Sequence, residues 1–432
     1  MDLFGILILI ISFIFFLAIG VPIAYSIGLS ATLTLLVNMD LVPAVTTLSQ
    51  QIATSLDSFA LLAIPFFILA GQLMNRGGIA VRLIDFAKVL VGRLPGGLAF
   101  VNIMANMLFG AISGSAAASA SAIGGFMHNR MVKEGYDKSF SAAVNVTSAT
   151  TGLLIPPSNI LIVYSLASGG VSIAALFIAG YVPGILMGLA IMGVAAAYAY
   201  RKNYPVGDRV SLGTGLLKFL DALPSLFLLI IVIGGIIAGI FTATEASAVA
   251  VLYTLILAFI YRELKWKDLP EIFLKTVGTT SIVLLLVGTS MGLSWVMSFE
   301  NIPQSVSNGL LSVSENPVII LLIINLILLM VGIFMDMTPA VLIFTPIFLP
   351  VVTSQMGIDP IHFGIIMIMN LTVGLCTPPV GSLLFIGCSV ADVSIGDVIK
   401  PLLRIFAAMI LVLMLVTFLP SLSLWLPGIF GY

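Results

Sequence analysis

Charged residues are scarce in this chain of 432 residues, since Asp, Glu, Lys and Arg together make up only 8% of it. The net charge is −1, so no basic surface indicates nucleic-acid binding. Two cysteines and two isolated histidines exclude a disulfide framework and a zinc site. Apolar residues make up 60% and the mean hydropathy is +1.23, which predicts an all-α polytopic membrane protein.

Motifs of ATP-driven pumps and of hydrolases are also missing from the sequence. It contains no phosphate-binding P-loop, no Gly-x-Ser-x-Gly elbow and no His-Glu-x-x-His pair. The sequence therefore predicts neither an enzyme nor an organic cofactor.

An internal repeat is the main positive feature of the sequence. Residues 152–173 match residues 374–395 at an offset of 222 residues without a gap. The identical pairs are Gly152/Gly374, Leu153/Leu375, Pro156/Pro378, Pro157/Pro379, Leu161/Leu383, Val171/Val393, Ser172/Ser394 and Ile173/Ile395, and the same offset pairs Gly110/Gly332, Gly135/Gly357 and Asp137/Asp359. Apolar composition alone does not explain paired prolines and glycines, so we interpret the match as an internal duplication.

Each copy of the repeat carries two consecutive prolines inside an apolar run. Such a pair removes two backbone donors and clashes with the preceding turn, so the helices predicted over 139–166 and 361–387 must break there. Broken backbone at membrane depth is tolerated where protein buries it or where it lines a polar cavity. Interrupted helices at matching places in two halves point to the binding site of a transporter.

The basic residues predict the orientation in the membrane. All but two of the 17 Lys and Arg lie in four clusters, at 76–93, 130–138, 201–218 (which includes Arg209) and 262–275. These clusters should be cytoplasmic. Three polar segments without Lys or Arg are predicted to be loops on the outer side, at 38–56, 299–317 and 353–360. The loop before the first broken helix is basic and the loop before the second is not, so the repeats should be inverted, with both termini periplasmic.

Two further segments are predicted to be re-entrant hairpins, which enter and leave the membrane on the same side. Residues 110–125 are rich in Gly, Ala and Ser and lie between two basic segments, with too few residues to cross and return. Their tip is expected near Ser113-Gly-Ser115, and the tip of an outer hairpin is expected within 332–339. Close helix packing alone would also explain the small residues.

The hairpin tips and the proline breaks are the predicted binding sites. Free carbonyls with Ser or Thr hydroxyls suit Na⁺, whereas helix N-termini suit a carboxylate. The predicted ligands of two or more Na⁺ ions are Ser113, Gly114, Thr150, Thr151, Gly152, Pro156, Met335, Asp336, Gly374, Cys376, Thr377 and Pro378. The predicted substrate ligands are Ser115, Ser158, Asn159, Thr338, Pro339 and Gly381, of which Ser115 and Thr338 could also join the cation shell. Each hydroxyl could instead bond a carbonyl of its own helix.

Asp336 is an ionisable residue at predicted membrane depth, where a charge costs at least ~2.5 kcal/mol. It could ligate Na⁺, carry a proton, or cap the helix that begins near Thr338.

Glu245 is predicted to cap a helix at the surface, and Asp221 to lie at the interface. No deeply placed Lys or Arg is visible, so an acidic substrate would rely on helix dipoles, hydroxyls, Na⁺ or a base reaching in from an interface.

Four motifs resemble the large membrane subunit (M, DctM-like) of TRAP transporters. They are the runs at 113–124, 152–159, 357–364 and 374–381, and the resemblance covers essentially the whole chain. It implies a bacterial inner-membrane protein that takes up a small carboxylate with Na⁺ by an elevator movement, with sialic acid favoured and a C4-dicarboxylate next. It also implies a small membrane subunit, expected here as a separate chain because no such sequence precedes Met1, and a periplasmic substrate-binding protein.

On this interpretation the chain has about ten full spans and two hairpins, in six parts. The parts are scaffold helices 1–75, an amphipathic arm 76–108, a first transport repeat 109–200, scaffold helices 201–298, a second arm region 299–330 and a second transport repeat 331–432. A self-sufficient Na⁺/dicarboxylate symporter or ion antiporter would share this architecture without needing a binding protein. A passive channel would not concentrate its substrate. An intramembrane enzyme fits least, because Asp336 lacks a second catalytic carboxylate in a matching span.

Overall fold

The computed structural model describes residues 3–205 and 211–432, and these residues form helices and no β-strand. The first ten helices are α1 (Leu3–Ala18), α2 (Ile23–Asn38), α3 (Leu41–Leu56), α4 (Ala63–Arg76), α5 (Ile79–Val91), α6 (Gly97–Ser113), α7 (Ala116–Lys133), α8 (Lys138–Thr151), α9 (Asn159–Ala167) and α10 (Ile173–Lys202). The next ten are α11 (Leu212–Ile237), α12 (Ala243–Ile260), α13 (Leu269–Phe299), α14 (Ile302–Val313), α15 (Pro317–Phe334), α16 (Met337–Met356), α17 (Pro360–Leu375), α18 (Ser382–Ala391), α19 (Ile395–Phe418) and α20 (Ser421–Ile429). Arg209, which belongs to the basic cluster at 201–218, lies outside the described residues.

The predicted class, an all-α polytopic membrane protein, is confirmed. Among the described residues, eight helical segments are long and apolar enough to cross a membrane. Both predicted hairpins are present: α6 and α7 join at Gly114-Ser115, and α15 and α16 join at Met335-Asp336. Both broken helices are present as well, with the proline pairs between α8 and α9 and between α17 and α18.

The predicted boundaries of the hairpins, at residues 108 and 330, are wrong because both hairpins begin earlier. Helix α6 begins at Gly97, directly after Gly96, whose φ of +81° ends the arm in a turn that glycine adopts readily. Helix α15 begins at Pro317, where Asn316 accepts a hydrogen bond from the backbone N–H of Val318. Proline suits the first position of a helix because its missing N–H would have no partner there.

The predicted loops at 38–56 and 299–317 are also wrong, because α3 and α14 occupy most of them. Helix α3 packs along α13 through Leu48 and Ile52, which lie over Gly292 and Gly288. A Cβ on Gly292 would lie only 2.6 Å from Leu48 Cδ1, so the glycines form a groove for α3. Polar residues are frequent along α3, so its sequence lacks the apolar run that would have indicated a helix.

The residues that the two repeats share lie at equivalent helix ends. Ser172 and Ser394 each accept a hydrogen bond from a first-turn N–H and so cap α10 and α19. Gly135 and Gly357 follow α7 and α16 with φ of +89° and +64°, which favours glycine over other residues. The sequence identity therefore reflects the same chain turns in both halves.

Paired glycines set the distance between each hairpin and its broken helix. A Cβ built on Gly152, at the end of α8, would lie 2.3 Å from the Cα of Gly110 in α6. In the second repeat, a Cβ on Gly374 would lie 2.6 Å from the Cα of Gly332 in α15. The backbones therefore touch in both repeats, and a side chain at these positions would separate them.

Buried amides fasten the hairpins to the broken helices. The amide of Asn106 in α6 donates to Asn145 Oδ1 at 3.1 Å and to Ser148 Oγ at 2.9 Å, both in α8. In the second repeat, the amide of Asn370 in α17 donates to Asn325 Oδ1 of α15 at 2.5 Å. Each repeat thus holds together through hydrogen bonds between its own helices.

We refer to the remaining helices, α1–α5 and α11–α14, as the scaffold, in keeping with the predicted division of the chain. Two ion pairs connect the arm helix α5 to α11: Arg82 Nε lies 3.3 Å from Asp221 Oδ1, and Lys218 Nζ lies 2.6 Å from Asp85 Oδ2. Glu245 forms a capping box with Thr242 at the start of α12, which confirms its predicted capping role.

Gly152→Ala should push α6 away from the end of α8, because the new Cβ would lie 2.3 Å from Gly110 Cα. Overpacking of this kind costs ~1–3 kcal/mol, so we expect a lower midpoint of thermal unfolding for the purified protein. Gly193→Ala in α10 is the matched control, because no atom lies within 4 Å of its Cβ position. Equal midpoints for the two variants would contradict the close backbone contact.

Candidate functional site

A cavity of about 260 Å³ lies where the two hairpin tips meet the scaffold. Six of the predicted site residues line it: Ser113, Gly114, Ser115, Asn159, Asp336 and Thr338. They come from both hairpins and from the start of α9, so the fold brings both repeats to one site.

The scaffold contributes polar residues to this cavity that the sequence reasoning missed. Gln72 and Asn75 of α4 and Thr279 of α13 line it, together with Ser382 at the start of α18. Gln72 and Asn75 are three residues apart near the end of an apolar span, and this spacing puts them on one side of the helix. The spacing of these two residues is visible in the sequence, but it does not show whether that side of the helix faces lipid, another helix or a cavity.

The tip of the first hairpin rests directly on the scaffold. A Cβ on Gly71 of α4 would lie 2.9 Å from the carbonyl oxygen of Ser113. Ser115 accepts a hydrogen bond from the N–H of Ala118 at 3.2 Å and so caps α7. Asn159 lies beside Gly114, and its buried Oδ1 has no hydrogen-bond partner in the structure. This oxygen could accept a hydrogen bond from a substrate.

The predicted ligands at the first break lie behind the cavity wall and are buried. Thr150 Oγ1 donates to Thr147 O at 2.7 Å, and Thr151 Oγ1 donates to Ser148 O at 2.6 Å. Ser158 Oγ donates to Leu153 O at 2.6 Å, within the loop that contains Gly152 and Pro156. These hydroxyls use their hydrogens on backbone carbonyls, and their oxygen lone pairs remain available to a cation.

The second break is built around a convergence of carbonyl oxygens. Gly381, with φ of +42°, would place a Cβ 2.8 Å from Leu375 O and 2.9 Å from Thr377 O. The N–H of Gly381 donates to Ile333 O at 3.1 Å, which joins this break to the second hairpin.

The side chains at the second break again bond their own helix. Thr377 Oγ1 donates to Val373 O at 2.7 Å, and Cys376 Sγ lies 3.1 Å from the same oxygen. Gly374 and Cys376 are buried, whereas Pro378 is half-buried and Pro379 is exposed. The first break is fully buried by comparison.

Asp336 occupies the position before α16, but its carboxylate makes no capping hydrogen bond. Asp336 lines the cavity of about 260 Å³ instead. Its neighbour Met335 lines a different, apolar cavity of about 350 Å³ between the second hairpin, α1 and α14. Pro339 is buried within the first turn of α16.

The chemistry of the donors fits a hard cation better than a transition metal. Over residues 3–205 and 211–432, no group of three or more His, Cys, Asp or Glu could hold a metal ion. The breaks present carbonyl and hydroxyl oxygens, with the Asp336 carboxylate nearby, and helices broken at membrane depth coordinate Na⁺ in this way.

The cavity lies near the ends of the scaffold helices that carry basic residues. Asn75 directly precedes Arg76, the last residue of α4. Thr279 is ten residues into α13, or about 15 Å from its start in a helix of 31 residues. Asn75 and Thr279 are exposed at this side of the cavity, and Asp336 and Ser382 of the second repeat are exposed as well.

A family model described as "Tripartite ATP-independent periplasmic transporter, DctM component" matches residues 10–422. The chain belongs to this family. The DctM-family permease is 58% identical to the "Uncharacterized protein YgiK" of Salmonella typhimurium, over 99% of this chain and 98% of that protein. It is 40% identical to the C4-dicarboxylate TRAP transporter large permease protein DctM of Pseudomonas aeruginosa, over 94% of both chains. It is 37% identical to the sialic acid TRAP transporter large permease protein SiaM of Vibrio cholerae, over 96% of both.

The fold of the permease is also similar to that of the YdaH transporter of Alcanivorax borkumensis. The TM-score is 0.64 at 13% sequence identity, over 92% of this chain and 90% of the other. This similarity concerns the fold alone.

Replacing both Pro378 and Pro379 with Ala restores two backbone donors and should let α17 continue into α18. The carbonyls of Leu375 and Thr377 would then turn away from Gly381, so we expect transport to be lost while the amount of protein in the membrane stays the same. The measurement is uptake of labelled sialic acid and succinate into proteoliposomes, under conditions in which the wild-type chain accumulates its substrate. Pro183→Ala is the control, because α10 is already continuous through Pro183. Near-normal uptake by the double variant would show that the break is not required.

Proposed function

We propose that this permease carries a small carboxylate into the cell together with Na⁺, after a periplasmic binding protein has delivered the substrate. The third component is a small membrane subunit, present as a separate chain. The observation that supports the proposal best is the single cavity at which both hairpin tips and the start of α9 meet the scaffold. Family membership supports the tripartite assembly and a multi-pass inner-membrane location. Both termini are proposed to be periplasmic, on the basis of the basic clusters.

Coupling to Na⁺ is proposed from the donor set at the two breaks. The Thr150, Thr151 and Thr377 hydroxyls and the carbonyls around Gly381 are oxygen donors held in place by backbone hydrogen bonds. Asp336 lies in the same region, and its carboxylate makes no capping hydrogen bond. Two or more ions would be shared between the repeats, one at each break.

The proposed substrate is a small carboxylate, with sialic acid first and a C4-dicarboxylate next. Amides and hydroxyls line the cavity, including Gln72, Asn75, Asn159 and Thr279. Such side chains can donate to a carboxylate and can also pair with several substrate hydroxyls. A substrate with many hydroxyl groups would form more hydrogen bonds with these side chains than succinate would.

An elevator movement is proposed for alternating access. The hairpins and broken helices would carry the substrate past the scaffold as one body. The contact between Gly71 and Ser113 supports this proposal, because the scaffold presents backbone rather than a side chain to the hairpin tip. A smooth contact of this kind allows one surface to slide over the other.

The test is uptake into proteoliposomes that contain this chain and its small membrane subunit. Labelled sialic acid and succinate are each supplied with and without an inward Na⁺ gradient and with and without the binding protein. We expect accumulation only when both are present. Accumulation without the binding protein would instead support a self-sufficient symporter, and equilibration without concentration would support a channel.

Asp336→Asn should weaken the Na⁺ dependence of uptake, because an amide attracts a cation less strongly than a carboxylate. We expect at least a roughly tenfold higher Na⁺ concentration for half-maximal uptake, as a loss of about 1.4 kcal/mol would give. Glu315→Gln, an exposed change before the first helix of the same hairpin, is the control. An unchanged Na⁺ dependence in Asp336→Asn would remove this residue from the cation site.

A further inference from the structure

Three charged side chains form a cluster at the end of the cavity that faces the basic side of the protein. Arg76 is the last residue of α4, and Glu271 and Lys275 lie in the first two turns of α13. Arg76 Nη2 lies 2.6 Å from Glu271 Oε1, and Lys275 Nζ lies 2.8 Å from the same oxygen. Two cations therefore share one carboxylate, which leaves the cluster with a net positive charge.

Helical spacing places this cluster next to the polar wall of the cavity. Gln72 precedes Arg76 by four residues in α4, and Lys275 precedes Thr279 by four residues in α13. Residues four apart share one face of a helix and differ in height by about 6 Å. The two cations thus stand about one turn beyond Gln72 and Thr279, on the way from the cavity to the cytoplasm.

Apolar packing already holds α4 and α13 together at this level. Leu73 and Ile272 are only 1% and 2% exposed and share a small apolar cluster with Ala258 and Leu264. The side chains of Arg76 and Lys275, in contrast, are 46% and 56% exposed. Ion pairs this exposed contribute little to stability, so the cluster is free to serve another purpose.

We propose that Arg76 and Lys275 form a release site, which binds the carboxylate of the substrate as it leaves the cavity for the cytoplasm. Glu271 is the internal carboxylate that the substrate displaces. The inference rests on the proposed function, because it requires an acidic substrate. None of the described residues that line the cavity is Lys or Arg, whereas this cluster stands one helical turn from the cavity residues Gln72 and Thr279.

The chemistry of the cluster suits temporary binding. A guanidinium and an ammonium can both donate charge-assisted hydrogen bonds to one carboxylate. Their exposure to water keeps these bonds weak enough for the substrate to depart. Glu271 then returns to the two cations.

The test is equilibrium binding of labelled sialic acid and of labelled succinate in NaCl, with the chain and its small subunit in nanodiscs that expose both faces. Arg76→Gln and Lys275→Gln should each raise the Kd of the bound acid roughly two- to fivefold, because each removes a charge-assisted hydrogen bond that water weakens. Glu271→Gln should lower the Kd severalfold, because the competing carboxylate is gone. Arg76→Lys keeps the charge and should retain most of the binding.

Arg130→Gln and Glu134→Gln are the matched controls. This pair is also spaced i,i+4, lies 3.7 Å apart with both side chains 41% exposed, and stands at the end of α7 away from the cavity wall. Neither change should alter the Kd.

The directions in which the three variants change the Kd decide whether the release site is correct. If all three variants weaken binding, the cluster acts by holding α4 against α13, and the release site is wrong. Unchanged Kd values in variants of a complex that shows Na⁺-dependent uptake also overturn the release site alone. A wild-type complex that neither binds nor accumulates either acid contradicts the proposed function itself, and the release site with it.

Discussion

A helix that stops inside a membrane must satisfy its terminal backbone groups with protein partners, and this requirement shapes both repeats. Each proline break lies against a hairpin. The contact is as close as two backbones allow, because glycines meet at Gly110/Gly152 and at Gly332/Gly374. The N–H of Gly381 finds its partner at Ile333, in the hairpin opposite. The hairpin therefore stabilises the break, because it packs against the break and accepts a hydrogen bond from its backbone. The cavity forms where the two hairpins end.

The same side chains serve both the backbone and the cavity region. Thr150, Thr151 and Thr377 donate to carbonyls of their own helices, which was the alternative to ligation that the sequence left open. These two roles are compatible, because the donated hydrogen fixes the direction of the oxygen lone pairs. Asp336 differs, since no hydrogen bond to the helix start explains its presence. Glu245, at the start of another helix, does make that bond.

The parts of the fold that depend on local chemistry were predictable from the sequence. Consecutive prolines interrupt a helix wherever they occur, so both breaks were visible in the sequence. Helix α3 was missed because its partner is a groove over Gly288 and Gly292, more than 200 residues away in the chain. Gln72 and Thr279 were missed for a similar reason. A single polar residue in an apolar span does not reveal whether it faces lipid, another helix or a cavity until the helices are assembled.

The glycine contacts also bear on the order in which the chain can assemble. Gly110 and Gly152 are 42 residues apart (152 − 110), and Gly332 and Gly374 are again 42 apart (374 − 332). The contact between Arg76 and Glu271, in contrast, joins residues 195 apart, and the Tyr164 hydroxyl reaches Pro360 across 196 residues. Contacts of short sequence separation close at a low entropic cost. Each repeat can therefore form its glycine contact as soon as its own segment has been synthesised, whereas the contacts of Arg76 with Glu271 and of Tyr164 with Pro360 must wait for the later segment.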